Sequence, residues 1–314
     1  MRLIFLGSGE FGLPTLKHLH ASHEVAAVIT QPDCPAGRKQ HLTPTPIGQW
    51  ASDAGLPVFK VENANVSAFV AQVAALKADS SIVIAFGQKL SLELIAALGP
   101  FVVNLHASLL PKYRGAAPIN WAMIHGEKET GVSVIALAQK MDAGLVYATV
   151  STPIDPLETA GELHDRLALL GPAAIEGVLG QHQSNTLTPL SQDETQATRA
   201  PKLKKTDGIL NFDARADQIR CRIHGLTPWP GVQVKWVQTA TGKEQPLFLR
   251  RVRSEPGVSC GCAVPGTVIG EGRVAVREGS LLLLQVQTPG KRIMTFDEFS
   301  HGHVMKPGDV LKSD

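Results

Sequence analysis

Through the first part of the chain, short apolar runs alternate with segments of helical spacing. Apolar runs of strand length lie at 2–6, 24–30, 80–86, 101–106 and 131–137, and helical periodicity occurs at 13–21, 46–54, 66–77, 91–97, 117–125 and 161–182. Such alternation is typical of βαβ units, in which helices cross back over a parallel sheet. It predicts a Rossmann-like α/β domain with a mostly parallel sheet.

A different pattern begins after residue 182. The stretch 183–206 is polar and ends in basic residues, which predicts a connection across the surface. Beyond it, short alternating runs separated by Gly and Pro are typical of a small antiparallel barrel. These runs lie at 232–237, 246–252, 266–270, 273–277 and 280–287. A length of 314 residues suits two domains. We therefore expect an α/β domain at 1–188, a linker at 189–206 and an OB-like β-barrel domain at 207–314.

The composition indicates a protein of a reducing compartment. No apolar run reaches the ~20 residues that a bilayer span needs. The opening MRLIFLG lacks a cleavage-like site and is interpreted as a first strand. The 4 cysteines are too few for a disulfide framework, and the pair Cys260 and Cys262 has no second pair with which to bind zinc. We expect a cytoplasmic protein with no metal site.

Charge is distributed unevenly along the chain. Residues 1–198 hold 12 Lys and Arg against 17 Asp and Glu, a net charge of −5. Residues 199–314 hold 18 Lys and Arg against 11 Asp and Glu, a net charge of +7. A basic final third can bind a polyanion, or it can be an ordinary solvated surface. Charge alone leaves these two interpretations open.

A glycine pattern follows the first predicted strand. Gly7, Gly9 and Gly12 match G-x-G-x-x-G between a strand and a helix, the setting of a dinucleotide site. The second strand, however, ends in Thr30 without the acidic residue that binds the ribose, and Asp33 lies in the following Pro-flanked loop. Since these glycines also suit any tight strand-to-helix turn, a turn is the favoured interpretation over an NAD site.

Two polar side chains end the apolar strand 101–106. Asn104 and His106 lie two residues apart, so a strand places them on one face. The carboxyl end of a parallel strand is where open α/β sheets bind their ligands. Burying an amide and an imidazole is unfavourable unless each is hydrogen-bonded, so the pair indicates either a functional site or a satisfied structural pair.

The segment that follows resembles the folate-dependent formyltransferases in several ordered motifs. After Asn104-x-His106 come Ser108-Leu109-Leu110-Pro111, Tyr113-Arg114-Gly115-Ala116-Ala117-Pro118, Glu129-Thr130-Gly131-Val132 and Met141-Asp142-Ala143-Gly144. Among the members of this family, those that act on methionyl-tRNA are resembled most. That second likeness rests on Gln31-Pro32-Asp33, Pro35-Ala36-Gly37-Arg38, His41-Leu42-Thr43-Pro44-Thr45-Pro46-Ile47 and Leu226-Thr227-Pro228-Trp229-Pro230-Gly231, and on the barrel.

The resemblance implies a reaction and the residues that catalyse it. The formyl group of 10-formyltetrahydrofolate would move to the free amino group of methionyl initiator tRNA, for translation initiation. Asn104, His106 and Asp142 would form the catalytic trio. Asn104 can donate to the formyl oxygen, and His106 can either donate to it or accept the amine proton. Asp142 would orient or charge-stabilise His106 and could accept a proton through water. The division of proton transfer between His106 and Asp142 stays open.

The resemblance also implies binding residues. Ser108, Leu109, Leu110 and Pro111 would line the folate site through backbone groups, and Arg38 would contact the acceptor end of the tRNA. Lys202, Lys204 and Lys205, with Arg199, would contact tRNA phosphates. No metal and no NAD are implied, and a monomer is expected.

Three rival functions belong to different classes. A sugar-nucleotide formyltransferase would share the trio but would not need a basic second domain. An NAD-dependent oxidoreductase would use the glycine turn in place of the trio. A non-catalytic RNA-binding protein would need only the barrel.

Overall fold

The computed structural model describes residues 1–37, 40–257 and 263–313. Arg38, for which the sequence predicts a tRNA contact, lies outside the described residues, as do Cys260 and Cys262. The described chain divides into two compact units. Unit one comprises Met1–Gly115, Gly131–Thr152 and His164–Arg199, and unit two comprises Ala116–Thr130, Pro153–Leu163 and Ala200–Asp314. The domain boundaries proposed from the sequence stay a prediction.

Strands and helices are numbered here in chain order. The strands are β1 (Arg2–Gly7), β2 (Glu24–Thr30), β3 (Cys34–Ala36), β4 (His41–Thr43), β5 (Val58–Lys60), β6 (Ser80–Ile84), β7 (Phe101–His106), β8 (Arg114–Gly115), β9 (Glu129–Ala136), β10 (Val146–Pro153), β11 (Arg199–Ala200), β12 (Val232–Val237), β13 (Glu244–Glu255), β14 (Val268–Gly270), β15 (Arg273–Ala275), β16 (Ser280–Gln287), β17 (Met294–Thr295) and β18 (Val310–Lys312). The α-helices are α1 (Leu13–Ser22), α2 (Pro46–Asp53), α3 (Ser67–Ala75), α4 (Leu92–Ala97), α5 (Pro118–Ile124), α6 (Ala160–Ala168), α7 (Gly171–Gln183), α8 (Ala216–Gly225) and α9 (Phe296–Gly302).

Unit one is built on a seven-stranded sheet in the order β10-β9-β7-β6-β1-β2-β5. The pairs β1–β2, β1–β6, β2–β5 and β6–β7 are parallel, and β9 runs antiparallel to β7. The central strands are apolar and buried because helices cover a sheet built from crossovers. The predicted Rossmann-like, mostly parallel α/β domain is confirmed.

One predicted helix is wrong. The apolar spacing over 161–182 predicts a single closing helix, but the structure contains α6 and α7, separated at Leu169 and Leu170. Pro172 lies in the first turn of α7, where its missing N–H needs no acceptor. The same proline inside a continuous helix would remove a hydrogen bond and clash with the preceding turn, so the chain begins a new helix there.

The strand-to-helix turn after β1 requires two of its three glycines for packing. A Cβ at Gly7 would lie 2.7 Å from the Phe5 ring and 2.9 Å from the Ile84 carbonyl oxygen. A Cβ at Gly12 would lie 3.1 Å from the same ring, whereas one at Gly9 would meet nothing closer than 3.9 Å. Close packing of the chain therefore accounts for Gly7 and Gly12.

Unit two contains an antiparallel sheet that closes on itself. Its strand order is β14-β15-β16-β13-β12-β18, with β17 paired to β16. A bridge between Thr267 and Val310 brings the two ends of this order together, which produces the predicted small β-barrel. Inside it, Trp236 is 1% exposed and its indole N–H donates to the Asp309 carboxylate over 2.9 Å. The helix α5 packs with this unit, since Ala117, Trp121 and Ile124 join its core cluster.

A buried histidine makes the stability of unit two depend on pH. His224 of α8 is 0% exposed, and its Nε2 accepts a hydrogen bond from the Val252 N–H. Burial, assisted by the nearby guanidinium groups of Arg220 and Arg251, lowers the pKa of His224 from 6.5 to about 4. Between these two pH values the unfolded chain binds a proton that the folded chain excludes, so folding loses stability as the pH falls.

We expect His224→Gln to flatten this pH dependence, since the amide oxygen can accept from Val252 without titrating. The histidine should remove up to about 3 kcal/mol from the free energy of unfolding as the pH falls from 6.5 to about 4. Urea unfolding of both proteins at a series of pH values measures the difference. Parallel curves across that range would show that His224 does not titrate in this way.

No helix in the described ranges is both long and apolar enough to cross a membrane.

Candidate active site

The two polar residues predicted at the strand end lie at the carboxyl end of β7. Asn104 is paired with Val83 of the parallel strand β6 and with Ile135 of the antiparallel strand β9. Asn104 is partly buried, while His106, the last residue of β7, is 6% exposed. The pair therefore occupies the sheet edge at which open α/β folds bind their ligands.

The protonation pattern of His106 is fixed on one side of the ring. Its Nε2 lies 2.9 Å from the backbone carbonyl oxygen of Tyr113. A carbonyl only accepts, so Nε2 carries a proton and donates it. Nδ1 is the nitrogen that faces Asp142, with 3.7 Å between Nδ1 and Oδ2. That distance is longer than a hydrogen bond, and it leaves Nδ1 as the ring nitrogen that lies beside the carboxylate.

Asp142 reaches the site from the loop between β9 and β10. Its backbone has a φ of 53°, in the left-handed region that side chains other than glycine seldom adopt. Its side chain is 15% exposed, and Oδ2 accepts a hydrogen bond of 2.8 Å from the Gly115 N–H. The fold thus brings His106 and Asp142 together although they are far apart in sequence.

The segment predicted to line a folate site forms a fixed turn after β7. Ser108 is 0% exposed, and its hydroxyl donates to the Lys112 carbonyl over 2.7 Å. Ser133 of β9 donates to the Ser108 carbonyl over 2.7 Å and accepts from the Leu110 N–H over 3.2 Å. Leu109, Leu110 and Pro111 are partly exposed. The turn therefore leaves these three apolar residues partly exposed, while Ser108 and Ser133 hold its shape.

The sequence did not single out three residues that complete this arrangement. The Tyr113 carbonyl fixes the His106 ring, and the Gly115 N–H binds Asp142. Both residues lie in the motif around Arg114, but a contact made by backbone atoms does not require a particular residue type and so cannot be recognised from the sequence. Gln192, in the predicted linker, donates to the carbonyl oxygens of Asp142 and Gly144. No sequence pattern identifies Gln192, because its contacts are with the Asp142 loop, which is about 50 residues away in the sequence.

The residues predicted to bind tRNA phosphates lie around the boundary between the two units along the chain. They are Arg199 at the end of unit one and Lys202, Lys204 and Lys205 at the start of the long final segment of unit two, and all four are exposed. The acidic residue considered for an NAD ribose, Asp33, is paired with Lys60 at 2.7 Å. Among the described residues, no three His, Cys, Asp or Glu side chains are grouped to hold a metal ion.

Comparison with known families and sequences identifies the family of this chain. Residues 1–179 match the formyl transferase family, and residues 202–304 match the formyl transferase C-terminal domain. A methionyl-tRNA formyltransferase of Geobacter metallireducens is 38% identical over 98% of this chain and 97% of its own. The enzyme of the same name from Moorella thermoacetica is 39% identical over 99% of both chains, and that of Bacillus subtilis is 34% identical over 99% of this chain and 97% of its own.

Solved structures share the fold at low sequence identity. WlaRD, a sugar 3N-formyl transferase solved with dTDP and 5-N-formyl-THF, superposes with a TM-score of 0.67 at 16% identity, covering 93% of this chain and 99% of that one. HypX from Aquifex aeolicus, solved with tetrahydrofolic acid, gives a TM-score of 0.61 at 17% identity, covering 96% of this chain and 47% of that one. These two likenesses show the fold, whereas the near-full-length relatives show the family. The chain belongs to the formyltransferase family, within its methionyl-tRNA formyltransferase group.

Proposed function

We propose that this chain transfers the formyl group of 10-formyltetrahydrofolate to the free amino group of methionyl initiator tRNA, with Asn104, His106 and Asp142 as its catalytic residues. The observation that carries the proposal is the arrangement around His106. The Nε2 atom donates a hydrogen bond to the Tyr113 carbonyl, and Nδ1 faces the Asp142 carboxylate at 3.7 Å. This arrangement, beside an asparagine at the same strand end, suits acyl transfer to an amine.

The chemistry needs a donor for the developing oxyanion and a group that moves one proton. When the neutral amine attacks the formyl carbon, a C–N bond forms and negative charge develops on the formyl oxygen. The Asn104 amide N–H would donate to that oxygen. His106 would accept the amine proton at Nδ1 and pass it to the folate nitrogen as the second C–N bond breaks. Asp142 would stabilise the imidazolium that exists between those two transfers.

The turn after His106 fits the folate co-substrate. Leu109, Leu110 and Pro111 are partly exposed and offer apolar contacts to a flat ring system. Ser108 is fully buried, so we keep it in the proposed site as the residue that fixes the shape of the turn. The proposal requires neither a metal ion nor NAD. A cytoplasmic monomer stays a prediction.

Acceptor selectivity tests the proposed reaction against its rivals. We expect formyl transfer from 10-formyltetrahydrofolate to methionyl initiator tRNA, and at most trace transfer to amino-sugar nucleotides under the same conditions. Incubation with millimolar NAD provides a parallel trial for redox activity. Preferred transfer to an amino-sugar nucleotide, or saturable NAD binding with hydride transfer, would replace the proposal by the corresponding rival.

We propose that Arg38 contacts the acceptor end of the tRNA, and that Arg199, Lys202, Lys204 and Lys205 contact its phosphates. Replacing the three lysines together with glutamine should weaken tRNA binding and flatten its salt dependence, by roughly 0.7–0.9 in logarithmic slope for each phosphate that is no longer neutralised. The measurement is the Michaelis constant for tRNA across a salt series.

A matched control replaces three exposed lysines of unit one, Lys17, Lys77 and Lys89, with glutamine. This control makes the same change in net charge and should leave the salt slope as in the parent. If the Lys202, Lys204 and Lys205 variant also keeps the parental slope, these lysines form only a solvated surface.

A further inference from the structure

Gln192 is hydrogen-bonded to the loop that carries Asp142. It lies between α7 and β11, in the segment that the sequence predicts to be a linker. Its side-chain Nε2 donates to the backbone carbonyl oxygens of Asp142 and Gly144, each over 2.8 Å. One amide group thus holds the backbone on both sides of Ala143. The loop is fixed from a segment about 50 residues further along the chain.

The Asp142 loop needs such support because its backbone is constrained. Asp142 has a φ of 53°, a conformation that L side chains rarely adopt and that persists where surrounding contacts determine it. At Gly144 the loop lies so close to β9 that an added Cβ would be 1.8 Å from the Ala136 carbonyl oxygen. The direction of the Asp142 carboxylate therefore depends on contacts that the loop itself does not supply.

The other end of the Gln192 amide is fixed by Arg114. Its Oε1 accepts from the Arg114 Nε over 3.0 Å and from Nη2 over 2.7 Å. Arg114 is 7% exposed, and its Nη2 also donates to Glu194 over 2.6 Å. Since a guanidinium only donates, it holds the amide oxygen of Gln192 toward itself and directs the NH₂ group to the two carbonyls. A glutamine can both accept from Arg114 and donate to the two carbonyls, whereas a glutamate can only accept from Arg114.

Arg114 also connects Gln192 and the Asp142 loop to the segment that orients His106. It stands between Tyr113, whose carbonyl accepts from His106, and Gly115, whose N–H donates to Asp142. The contacts of Arg114 and Gln192 therefore set the Asp142 loop against the same short segment that orients the histidine ring. His106 Nδ1 and Asp142 Oδ2, which lie 3.7 Å apart, are thus both held by contacts with the segment around Arg114.

We propose that Gln192 is a positioning residue for Asp142, held in place by Arg114. The proposal rests on the proposed catalytic role of Asp142. Misplacement of a catalytic group by about 1 Å can lower a rate by ~100-fold. Gln192→Ala should therefore lower kcat by roughly 10- to 100-fold and leave the KM for both substrates within about twofold.

Two further variants separate positioning from general destabilisation. Gln192→Glu keeps the acceptor for Arg114 but loses the donor to the two carbonyls, so its kcat should also fall by at least ~10-fold. Gln196→Ala is the matched control, since Gln196 is exposed in the same segment and its side chain donates to Asp193. This control should keep the parental kcat. Thermal unfolding midpoints report whether each variant is folded.

A double-mutant cycle with Asp142→Ala is the deciding experiment. If Gln192 acts through Asp142, Gln192→Ala should lower the single-turnover rate by less than about twofold when Asp142 is already alanine. If the two substitutions lower the rate multiplicatively in the double variant, Gln192 does not act through Asp142. The same conclusion follows if the folded Gln192→Ala protein keeps the parental kcat while the Asp142→Ala protein is inactive. Either result overturns the positioning role and leaves the proposed function in place. A parental rate for Asp142→Ala instead overturns the catalytic role of Asp142 in the proposed function, and the positioning role with it.

Discussion

Replacing Asn104 with alanine is expected to lower kcat for formyl transfer by ~100- to 1000-fold, the range observed when an oxyanion donor is removed. The amide lies at the carboxyl end of β7, two residues before His106. The hydrogen bond that we propose from Asn104 to the formyl oxygen would strengthen as charge develops on that oxygen, so the effect should appear in kcat rather than in KM. Steady-state kinetics with methionyl initiator tRNA measure both constants.

Asn104→Asp sharpens this experiment because it keeps the size of the side chain but removes the N–H donor. It should be at least as impaired as the alanine variant. Tetrahydrofolate binding and the thermal midpoint should stay near the parental values in both, since the strand contacts of Asn104 are made by its backbone. Near-parental turnover in the folded alanine variant would remove Asn104 from the catalytic residues.

Asp142→Ala is the second variant for which we expect a loss of at least ~100-fold in kcat. It removes the carboxylate that faces His106 Nδ1 at 3.7 Å, and with it the charge that, in the proposed mechanism, would stabilise a transient imidazolium. It also leaves the Gly115 N–H without its acceptor. Both changes act on the reacting centre while the apolar core of unit one is untouched.

Asp142→Asn separates charge from geometry. The asparagine carbonyl oxygen can still accept from Gly115, so the loop should keep its conformation while the negative charge is removed. If charge is what matters, Asp142→Asn should be nearly as slow as Asp142→Ala. If the asparagine variant retains at least half of the parental kcat, Asp142 serves to fix the loop and not to stabilise His106.

The strands of the site could be predicted because a buried parallel strand must be apolar. The run at 101–106 coincides with β7, and the polar pair at its end lies where we propose the site. The closing helix predicted over 161–182 is wrong because the apolar periodicity continues across Leu169 and Leu170, where the helical backbone is interrupted between α6 and α7. The spacing of apolar residues indicates which face of a helix is buried, but it does not indicate where one helix ends and the next begins.

Contacts made by backbone atoms could not be predicted in this way. The Tyr113 carbonyl and the Gly115 N–H would be present with almost any residue at those positions. Gln192 lies in a polar stretch whose composition resembles a solvated connection, and its role appears only when the chain returns to the Asp142 loop. The helix α5 is similar, since its spacing predicts a helix but not that it packs in the core of unit two.

Single-turnover transfer of an isotopically labelled formyl group follows the proposed reaction itself. With 10-formyltetrahydrofolate carrying the label, the parent protein should place it on the amino group of methionyl initiator tRNA, and hydrolysis of the ester should release labelled N-formylmethionine. Asn104→Ala and Asp142→Ala should each do so at least ~100-fold more slowly at saturating substrates. A folded parent protein that bound both substrates and left the label on the folate would contradict the proposed reaction, and parental rates in both variants would contradict the proposed catalytic residues.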